Sequence, residues 1–281
     1  MGVATQTVLG PDEIEAYRRD GFVIPRFRLP SSTVSDLQKL TAELLEANPE
    51  FDGRLIPCPH VRRPLEPGAN HNINTPHPDD WMRIATQPAI LNAVQSLLGP
   101  DLILWGTALF YKRAAGGPET PWHNDAAFVP IQPHVTTTVW IAVFDSKIDN
   151  GCLRCIPGSH LKTSAADQHF NTQRPDVIFP NSVEVAESDE ATARDIELEA
   201  GQMLMFDFYT IHGARANLGT RHRAGFTLRF MPSTSHFDRN ERHGTDPYRV
   251  MKDKDYETRP LFLVRGIDRG RNDFQVGHAP K

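Results

Sequence analysis

Three side chains of this sequence have the types and spacing of a metal site. His123 and Asp125 form a His-x-Asp pair, and His212 follows much later in a Thr-Ile-His-Gly segment. Two imidazoles and one carboxylate are the ligands that hold a non-heme Fe(II) on one face and leave the other face open for oxygen chemistry. A His-x-Asp triplet also arises by chance, and a single histidine is more often hydrogen-bonded than metal-bound. The interpretation therefore depends on the rest of the chain.

The local backbone can bring the first two ligands together. In an extended strand, side chains at i and i+2 point to the same side, so His123 and Asp125 can converge on one ion. Since His212 is distant in sequence, it must come from another strand. Such a site needs a β-structure that folds back on itself.

A guanidinium can also be positioned near these ligands. If the strand of His212 and the segment 225–231 form a hairpin with a two-residue turn within 217–220, His212 pairs with an odd-numbered residue. Arg223 then shares the face of His212 and can bind a carboxylate through two N–H groups. Arg221 is odd-numbered too, but it lies nearer the turn. A three-residue turn would reverse this parity, so the inference is conditional.

Composition excludes several classes of protein. The 281 residues are 39% hydrophobic and 23% charged, as in ordinary globular proteins. A net charge of -5 gives no basic footprint for nucleic acid. The sequence has no apolar run of about 18 residues and no secretory signal at its start. We expect a cytoplasmic protein, monomeric or homodimeric, whose partner is a small molecule and not nucleic acid or a membrane.

Three cysteines are too few, and odd in number, for a disulfide framework. Cys152 and Cys155 form a CxxC motif, but Pro157-Gly158 follows at once and no second ligand pair is nearby. We expect these two residues and Cys58 to be packing residues in a reducing compartment.

The order of predicted elements divides the chain into three parts. Residues 11–100 read as helical, with helices starting at Pro11, running from a cap at Ser31, Ser32 or Thr33 to Ala47, and spanning 89–98. Residues 49–80 read as a loop. From residue 101 the pattern predicts strands at 102–111, 136–144, 203–208 and 225–231, typical of a β-sandwich or barrel. Residues 162–195 read as a strand-poor surface excursion or lid.

Several motifs, in order, resemble those of one enzyme family. The chain is similar to the phytanoyl-CoA dioxygenase family of Fe(II)- and 2-oxoglutarate-dependent oxygenases at segments 17–23, 122–125, 150–153 and 156–160, and at His212-Gly213, Asn217 and Arg223. The resemblance implies a mainly β fold with flanking helices: a double-stranded β-helix (jelly-roll, cupin-like) core, with an N-terminal helical layer. It implies a single domain over 1–281, with the helical part at 11–100, the core at 101–232 and a C-terminal extension at 233–281.

The resemblance also implies roles for individual residues. Iron is held by His123, Asp125 and His212, and Arg223 holds the far carboxylate of 2-oxoglutarate. Trp140 and Thr138 resemble positions that line the cosubstrate pocket. The segment 150–160 resembles a structural turn of the family, in which His160 is not a metal ligand.

Two positions refine the expected chemistry. Ala214 stands where the family often has a small hydroxyl residue that helps to bind the cosubstrate. Related halogenases have a small residue at the position of Asp125, so the carboxylate here favours oxygenation. The expected activity is Fe(II)-, 2-oxoglutarate- and O2-dependent oxidation, hydroxylation first, of a C–H bond in a small metabolite or natural-product intermediate, with release of succinate and CO2. Desaturation, ring closure, epimerisation and a non-catalytic binding domain remain as alternatives.

The sequence says least about the substrate. We expect the substrate pocket to be lined by the 49–80 loop, the strand that carries Phe110, Tyr111 and Arg113, the region of Phe128, and Arg229. Arg62 and Arg63 are either a grip for an anionic substrate or a solvated charge pair.

Overall fold

The chain begins with helices and continues as a long series of strands. The computed structural model describes residues 8–49, 55–61, 73–126, 129–163, 168–170, 177–178, 181–239, 259–274 and 277–278. The helices are α1 (Pro11–Asp20), α2 (Ser31–Ala47), α3 (Pro78–Ala85), α4 (Pro88–Leu98) and α5 (Glu187–Glu190). The strands are β1 (Phe22–Val23), β2 (Leu55–Pro57), β3 (Leu102–Lys112), β4 (Thr120–His123), β5 (Ile131–Gln132), β6 (Thr137–Ala142), β7 (Leu153–Cys155), β8 (Gln168–Phe170), β9 (Asn181–Val183), β10 (Arg194–Ile196), β11 (Met203–Asp207), β12 (His212–Ala214), β13 (Arg223–Pro232), β14 (His236–Phe237), β15 (Leu261–Arg265) and β16 (Gly277–His278).

Two antiparallel sheets form the core. The large sheet has the order β1-β11-β6-β13-β3-β15-β16, with β2 also paired to β3, and the small sheet has the order β10-β7-β12-β4. Only the β15–β16 pair in the described part of the large sheet is parallel. Apolar side chains from both sheets form one cluster between them, including Trp140 and Phe206 from the large sheet and Leu153 and Ala214 from the small one. The expected double-stranded β-helix architecture is confirmed.

The helices cover the outer face of the large sheet. The apolar side of α2, with Leu37 and Leu44 fully buried, packs in one cluster with α3, α4 and the strands β3, β6, β11 and β13. Helix α1 ends because Gly21 adopts a left-handed conformation (φ 85°), which turns the chain directly into β1. The outer face of the large sheet is therefore apolar and covered by helices. Its inner face, which points towards the small sheet, can carry polar side chains as well.

Strand alternation separates these two faces. Along β13, Ala224, Phe226, Leu228 and Phe230 belong to the cluster under the helices. The odd-numbered residues of β13 therefore point the other way, towards the small sheet. β13 is therefore buried on both faces, and one face carries apolar side chains while the other carries mostly polar ones.

A β-bulge reverses the alternation in β3. Arg229 pairs with Gly106 but the next residue, Phe230, pairs with Leu104, so Trp105 is the extra residue. Leu104 faces the helices before the bulge, whereas Leu109 does so after it. Even-numbered residues at the end of β3 consequently face the small sheet.

The predicted elements are largely confirmed, with four corrections. Helix α2 begins after Pro30 with no side-chain cap, so none of the three hydroxyl residues is its N-cap. Helix α3 starts, and β2 lies, within the stretch read as a loop. The segment 162–195 is not strand-poor, since β8, β9 and part of β10 lie in it. The C-terminal extension contributes β15 and β16 to the large sheet. Short strands with few apolar residues give little sequence signal.

No helix within the described ranges combines the length and the apolar character needed to cross a bilayer.

A substitution at Gly225 would test the close contact between β13 and β6. A Cβ at this position would lie 2.0 Å from ring atoms of Trp140. We expect Gly225→Ala to lower the free energy of unfolding by about 1–3 kcal/mol or more, because the indole must move within a packed interior. Chemical denaturation measures this change.

Gly106→Ala on the neighbouring strand is the control. Among the residues that the structure describes, its added Cβ would meet only Arg259 Nη1, at 3.9 Å, so we expect a change within about 0.5 kcal/mol. Equal stability of the two variants would contradict the assigned Trp140 contact.

Candidate metal centre and cosubstrate cavity

His123 and His212 are direct cross-strand partners. β12 pairs with β4 so that His212 lies opposite His123, and the two ring centroids are 4.1 Å apart. Asp125 joins them, with Oδ1 4.0 Å from His123 Nε2. One ligand atom from each of the three residues lies within 4.8 Å of the others. Pairing of two strands in the small sheet therefore assembles the triad that the sequence predicted.

A turn after β4 aims Asp125 at the histidines. β4 ends at His123, and Asn124 Oδ1 accepts a hydrogen bond from the backbone N–H of Ala126 (3.0 Å). The N–H of Asp125 donates to the carbonyl of Phe208 (3.0 Å). Asp125 thus converges with His123 from an Asx-type turn, whereas the sequence argument assumed a continuous strand.

Backbone carbonyls set the tautomers of both histidines. His123 Nδ1 is 2.8 Å from the carbonyl oxygen of Pro121, and His212 Nδ1 is 3.0 Å from that of Thr210. A carbonyl only accepts, so each Nδ1 carries the proton and each Nε2 offers its lone pair to the centre. Burial, and then the proximity of His212, lower the pKa of His123 to about 3. Burial also lowers the pKa of His212. Both rings are neutral, as metal binding requires.

The carboxylate is ionised. Burial alone would raise the pKa of Asp125, but the nearby Arg229, the histidines and a hydrogen bond from Thr138 together lower it below its ordinary value. Two neutral imidazoles and one carboxylate beside a cavity are a donor set that fits Fe(II).

Arg223 is a buried cation with unused donors. Its side chain is 1% exposed and its guanidinium carbon lies 4.8 Å from the ring centroid of Trp140. Among the described residues, Arg223 Nε and Nη2 and Trp140 Nε1 have no hydrogen-bond partner. Burial lowers the pKa of Arg223 to about 10, which leaves it charged at neutral pH. A buried guanidinium with free donors fits an anionic ligand such as the far carboxylate of 2-oxoglutarate.

The route by which sequence parity located Arg223 was wrong. β12 lies in the small sheet and β13 in the large sheet, so the two strands form no hairpin. Arg223 lines the cavity because it starts β13 on the odd-numbered face. The chain between β12 and β13 crosses from the small sheet to the large sheet, whereas the parity prediction requires a tight turn within one sheet.

Lys112 is a second buried basic side chain, and no sequence pattern indicated it. It pairs with Arg223 across β3 and β13, and its Nζ donates to the carbonyls of Ala214 (3.1 Å) and Arg215 (2.6 Å). Burial and the charge of Arg223 lower its pKa well below the ordinary value. Lys112 thereby joins the large sheet to the end of β12.

The triad and Arg223 share one cavity between the sheets. Its volume is about 360 Å³, including space open to solvent. The lining residues are Phe110, Thr120, His123, Asp125, Trp140, Leu153, Phe206, His212, Arg223, Thr227 and Arg229. The structure thus brings together the three predicted ligands, Trp140, Arg223 and Arg229.

Other predicted contacts lie elsewhere. Tyr111 packs against the cluster under the helices, because the β3 bulge makes Phe110 the cavity-facing residue. Arg113, beyond the end of β3, is exposed and does not line the cavity. Thr138 donates to Asp125 Oδ2 (2.9 Å) and is not among the lining residues. Phe128, Arg62 and Arg63 lie outside the described residues.

Phe110, on a strand expected to line the pocket, does line it, and four lining residues were not predicted: Thr120, Leu153, Phe206 and Thr227. The alternation of β13 could have found Thr227, which lies two positions from Gly225 on the odd face. Phe206, whose ring centroid is 4.4 Å from that of His212, also follows from alternation in β11. Leu153 and Thr120 required the facing of the two sheets, and the choice of Phe110 over Tyr111 on β3 required the bulge.

The cysteines and His160 behave as expected. Cys58, Cys152 and Cys155 are free and buried, and burial raises the pKa of Cys152 to about 11. His160 Nε2 lies 3.1 Å from the carbonyl oxygen of Arg18, and His160 is not part of the triad.

Comparisons with known proteins agree with this arrangement. The family described as "Phytanoyl-CoA dioxygenase (PhyH)" matches residues 4–225. A phytanoyl-CoA dioxygenase domain-containing protein 1 homolog of Dictyostelium discoideum is 28% identical over 154 residues, 53% of this chain and 54% of that protein. The chain spans about half the length of the curated relatives it matches first.

Solved structures share the fold over nearly the whole chain. The non-heme monooxygenase ThoJ, in its apo form, is 27% identical with a TM-score of 0.70, covering 96% of this chain and 88% of that one. The non-heme alpha ketoglutarate dependent carbocyclase SnoK from nogalamycin biosynthesis is 21% identical with a TM-score of 0.63, covering 90% and 94%. With a family match over residues 4–225, the chain belongs to the phytanoyl-CoA dioxygenase family.

Proposed function

We propose that this protein is an Fe(II)- and 2-oxoglutarate-dependent dioxygenase that hydroxylates a C–H bond of a small molecule and releases succinate and CO2. The observation that carries the proposal is the shared cavity. In it, His123, Asp125 and His212 offer ligand atoms within 4.8 Å of one another, and the buried Arg223 offers unused donors. Membership of the family supports the same activity.

The chain's own residues bind and orient the reactants. When bound, iron with 2-oxoglutarate and O2 supplies the oxidising chemistry. His123, Asp125 and His212 hold the iron, and Arg223, stacked on Trp140, holds the far carboxylate of the cosubstrate. Because Arg223 is buried, its charge is poorly screened and selects an anion at that end of the cavity.

The remaining walls suit a small substrate. Phe110, Leu153 and Phe206 are apolar and exclude water from the cavity, while Thr120 and Thr227 supply hydroxyl groups. Apolar walls with a few polar groups among them are typical of a small-molecule site, so a metabolite or natural-product intermediate is the expected occupant.

The same oxidant could also give desaturation, ring closure or epimerisation. The carbocyclase SnoK has the same fold, so the fold does not distinguish these outcomes, which depend on where the substrate lies. Mass analysis of the product separates three groups: hydroxylation adds one oxygen, desaturation and oxidative ring closure each remove two hydrogens, and epimerisation leaves the mass unchanged. NMR of the product then distinguishes a new double bond from a new ring. A non-catalytic binding domain would release no succinate with any compound.

Loss of a metal ligand should abolish turnover. We expect His123→Ala and Asp125→Ala each to lower 2-oxoglutarate-dependent succinate formation by more than about 100-fold, since losing even an outer-shell partner costs about 10- to 100-fold. Oxygen uptake and succinate release are measured with a panel of metabolites.

His236→Ala is the control for this test. The residue is exposed, and its Nδ1 lies 3.1 Å from the carbonyl oxygen of Gly270, away from the cavity. We expect wild-type turnover from it. Full activity in either ligand variant would rule out the assigned triad.

We expect the buried charge of Arg223 to lower the free energy of unfolding when no ligand is bound. Without ligand, we expect Arg223→Met to be at least as stable as the wild type, because it removes a buried charge that has no acidic partner among the described residues. With Mn(II) present, the variant should bind 2-oxoglutarate at least about thirtyfold more weakly, since a buried charge pair is lost. Thermal unfolding and calorimetric titration give these two quantities.

Arg221→Met is the matched control, two residues away on the same chain. Its Nη2 lies 3.0 Å from Asp149 Oδ1, and its side chain is 51% exposed. A surface ion pair of this kind contributes about 0–1 kcal/mol, so 2-oxoglutarate binding should not change. Equal binding by the wild type and Arg223→Met would disprove the role assigned to Arg223.

A further inference from the structure

The two carboxylate oxygens of Asp125 lie in different surroundings. Oδ1 is 4.0 Å from His123 Nε2 and faces the centre of the triad. Oδ2 accepts a hydrogen bond from Thr138 Oγ1 (2.9 Å) and lies 3.6 Å from Arg229 Nε. One oxygen is therefore free for a metal, while the other is already engaged by the large sheet.

We propose that Thr138 and Arg229 are positioning residues that restrict Asp125 to a single metal-binding oxygen. Together they hold Oδ2 away from the ion, so that Oδ1 alone binds it. This inference rests on the proposed function, because it concerns the iron and cosubstrate of that same site. It assigns Thr138 to the metal ligand, whereas the family resemblance suggested the cosubstrate pocket.

The two positioning residues are themselves held rigidly. Thr138 and Arg229 are direct partners across β6 and β13, at the centre of the large sheet. Thr138 is fully buried and β-branched, which restricts its rotamers. The guanidinium carbon of Arg229 lies 5.9 Å from the ring centroid of Trp105, and its side chain is 17% exposed. Asp125, which follows a strand of the small sheet, is thus fixed by the sheet opposite.

A single-oxygen carboxylate matters for the number of open positions. An octahedral ion with two imidazoles and one carboxylate oxygen keeps three positions free. A cosubstrate that binds the ion through two oxygens would occupy two of these and would leave one for O2. If Asp125 bound through both oxygens, no position would remain once the cosubstrate had bound. The contacts to Oδ2 therefore preserve the site at which O2 enters.

Mn(II) provides a direct count of these positions. Bound Mn(II) relaxes the protons of exchanging water in proportion to the number of water-accessible positions. We expect the Mn(II)-loaded Thr138→Val protein to show relaxivity about one third lower than the wild type, because the freed Oδ2 takes one of three positions. Arg229→Met, which removes the charge and keeps an unbranched side chain, should change in the same direction. Saturating 2-oxoglutarate should leave one exchanging position in the wild type and none in Thr138→Val.

Two further variants separate positioning from general damage. Thr138→Ser keeps the hydroxyl group and should restore the wild-type relaxivity. Thr136→Val removes a buried hydroxyl that has no hydrogen-bond partner among the described residues, and it should also resemble the wild type. Relaxivity equal to the wild type in both Thr138→Val and Arg229→Met would overturn the inference.

The failure of the proposed function would look different. It would appear in the wild-type protein alone, as no drop in Mn(II) relaxivity when 2-oxoglutarate is added. The comparison of variants loaded with Mn(II) and no cosubstrate does not depend on that result, so the two ideas fail separately.

Discussion

The rest of the site depends on the pairing of β12 between β4 and β7 in the small sheet. This register sets His212 opposite His123, and the turn after β4 brings Asp125 to the same point. Residues of the large sheet contact these side chains from the other side. The ring of Phe206 packs against His212, and Thr138 and Arg229 contact the carboxylate of Asp125. The candidate metal site therefore depends on both sheets, because the small sheet carries the proposed ligands and the large sheet contacts them.

Two buried basic side chains lie next to each other where β3 pairs with β13. Arg223 and Lys112 are adjacent across two strands and almost completely buried, and burial lowers the pKa of both. Lys112 is satisfied by backbone carbonyls of the β12 end, whereas Arg223 keeps free donors beside Trp140. Lys112 therefore joins the two sheets, whereas Arg223 is available to a ligand. Leaving a buried charge unsatisfied costs stability, which is typical of positions kept for binding.

Long strands and helices were predictable because each carries a strong local signal. The four predicted strands and helix α2 were found within a few residues, since their apolar residues repeat with the period of their own structure. Helix α3 and the short strands β8 and β9 were missed. The two strands have three residues each, too few to show a repeating pattern, and the eight-residue α3 begins inside the stretch that reads as a loop. Cavity residues followed the same division: alternation in β13 points to Thr227, but Phe110 faces the cavity only because Trp105 forms a bulge.

The sequence by itself determined the chemistry: two histidines, one aspartate and one arginine of the right types and order, in a chain with β-rich segments. Residue types are local information, and so is the alternation that selects a strand face. Only the tertiary structure decided how these groups meet. Arg223 and His212 share no hairpin, and Arg223 reaches the cavity because β13 lies in the large sheet, opposite β12. Sheet membership and strand register come from packing between distant segments, and no local pattern contains that information.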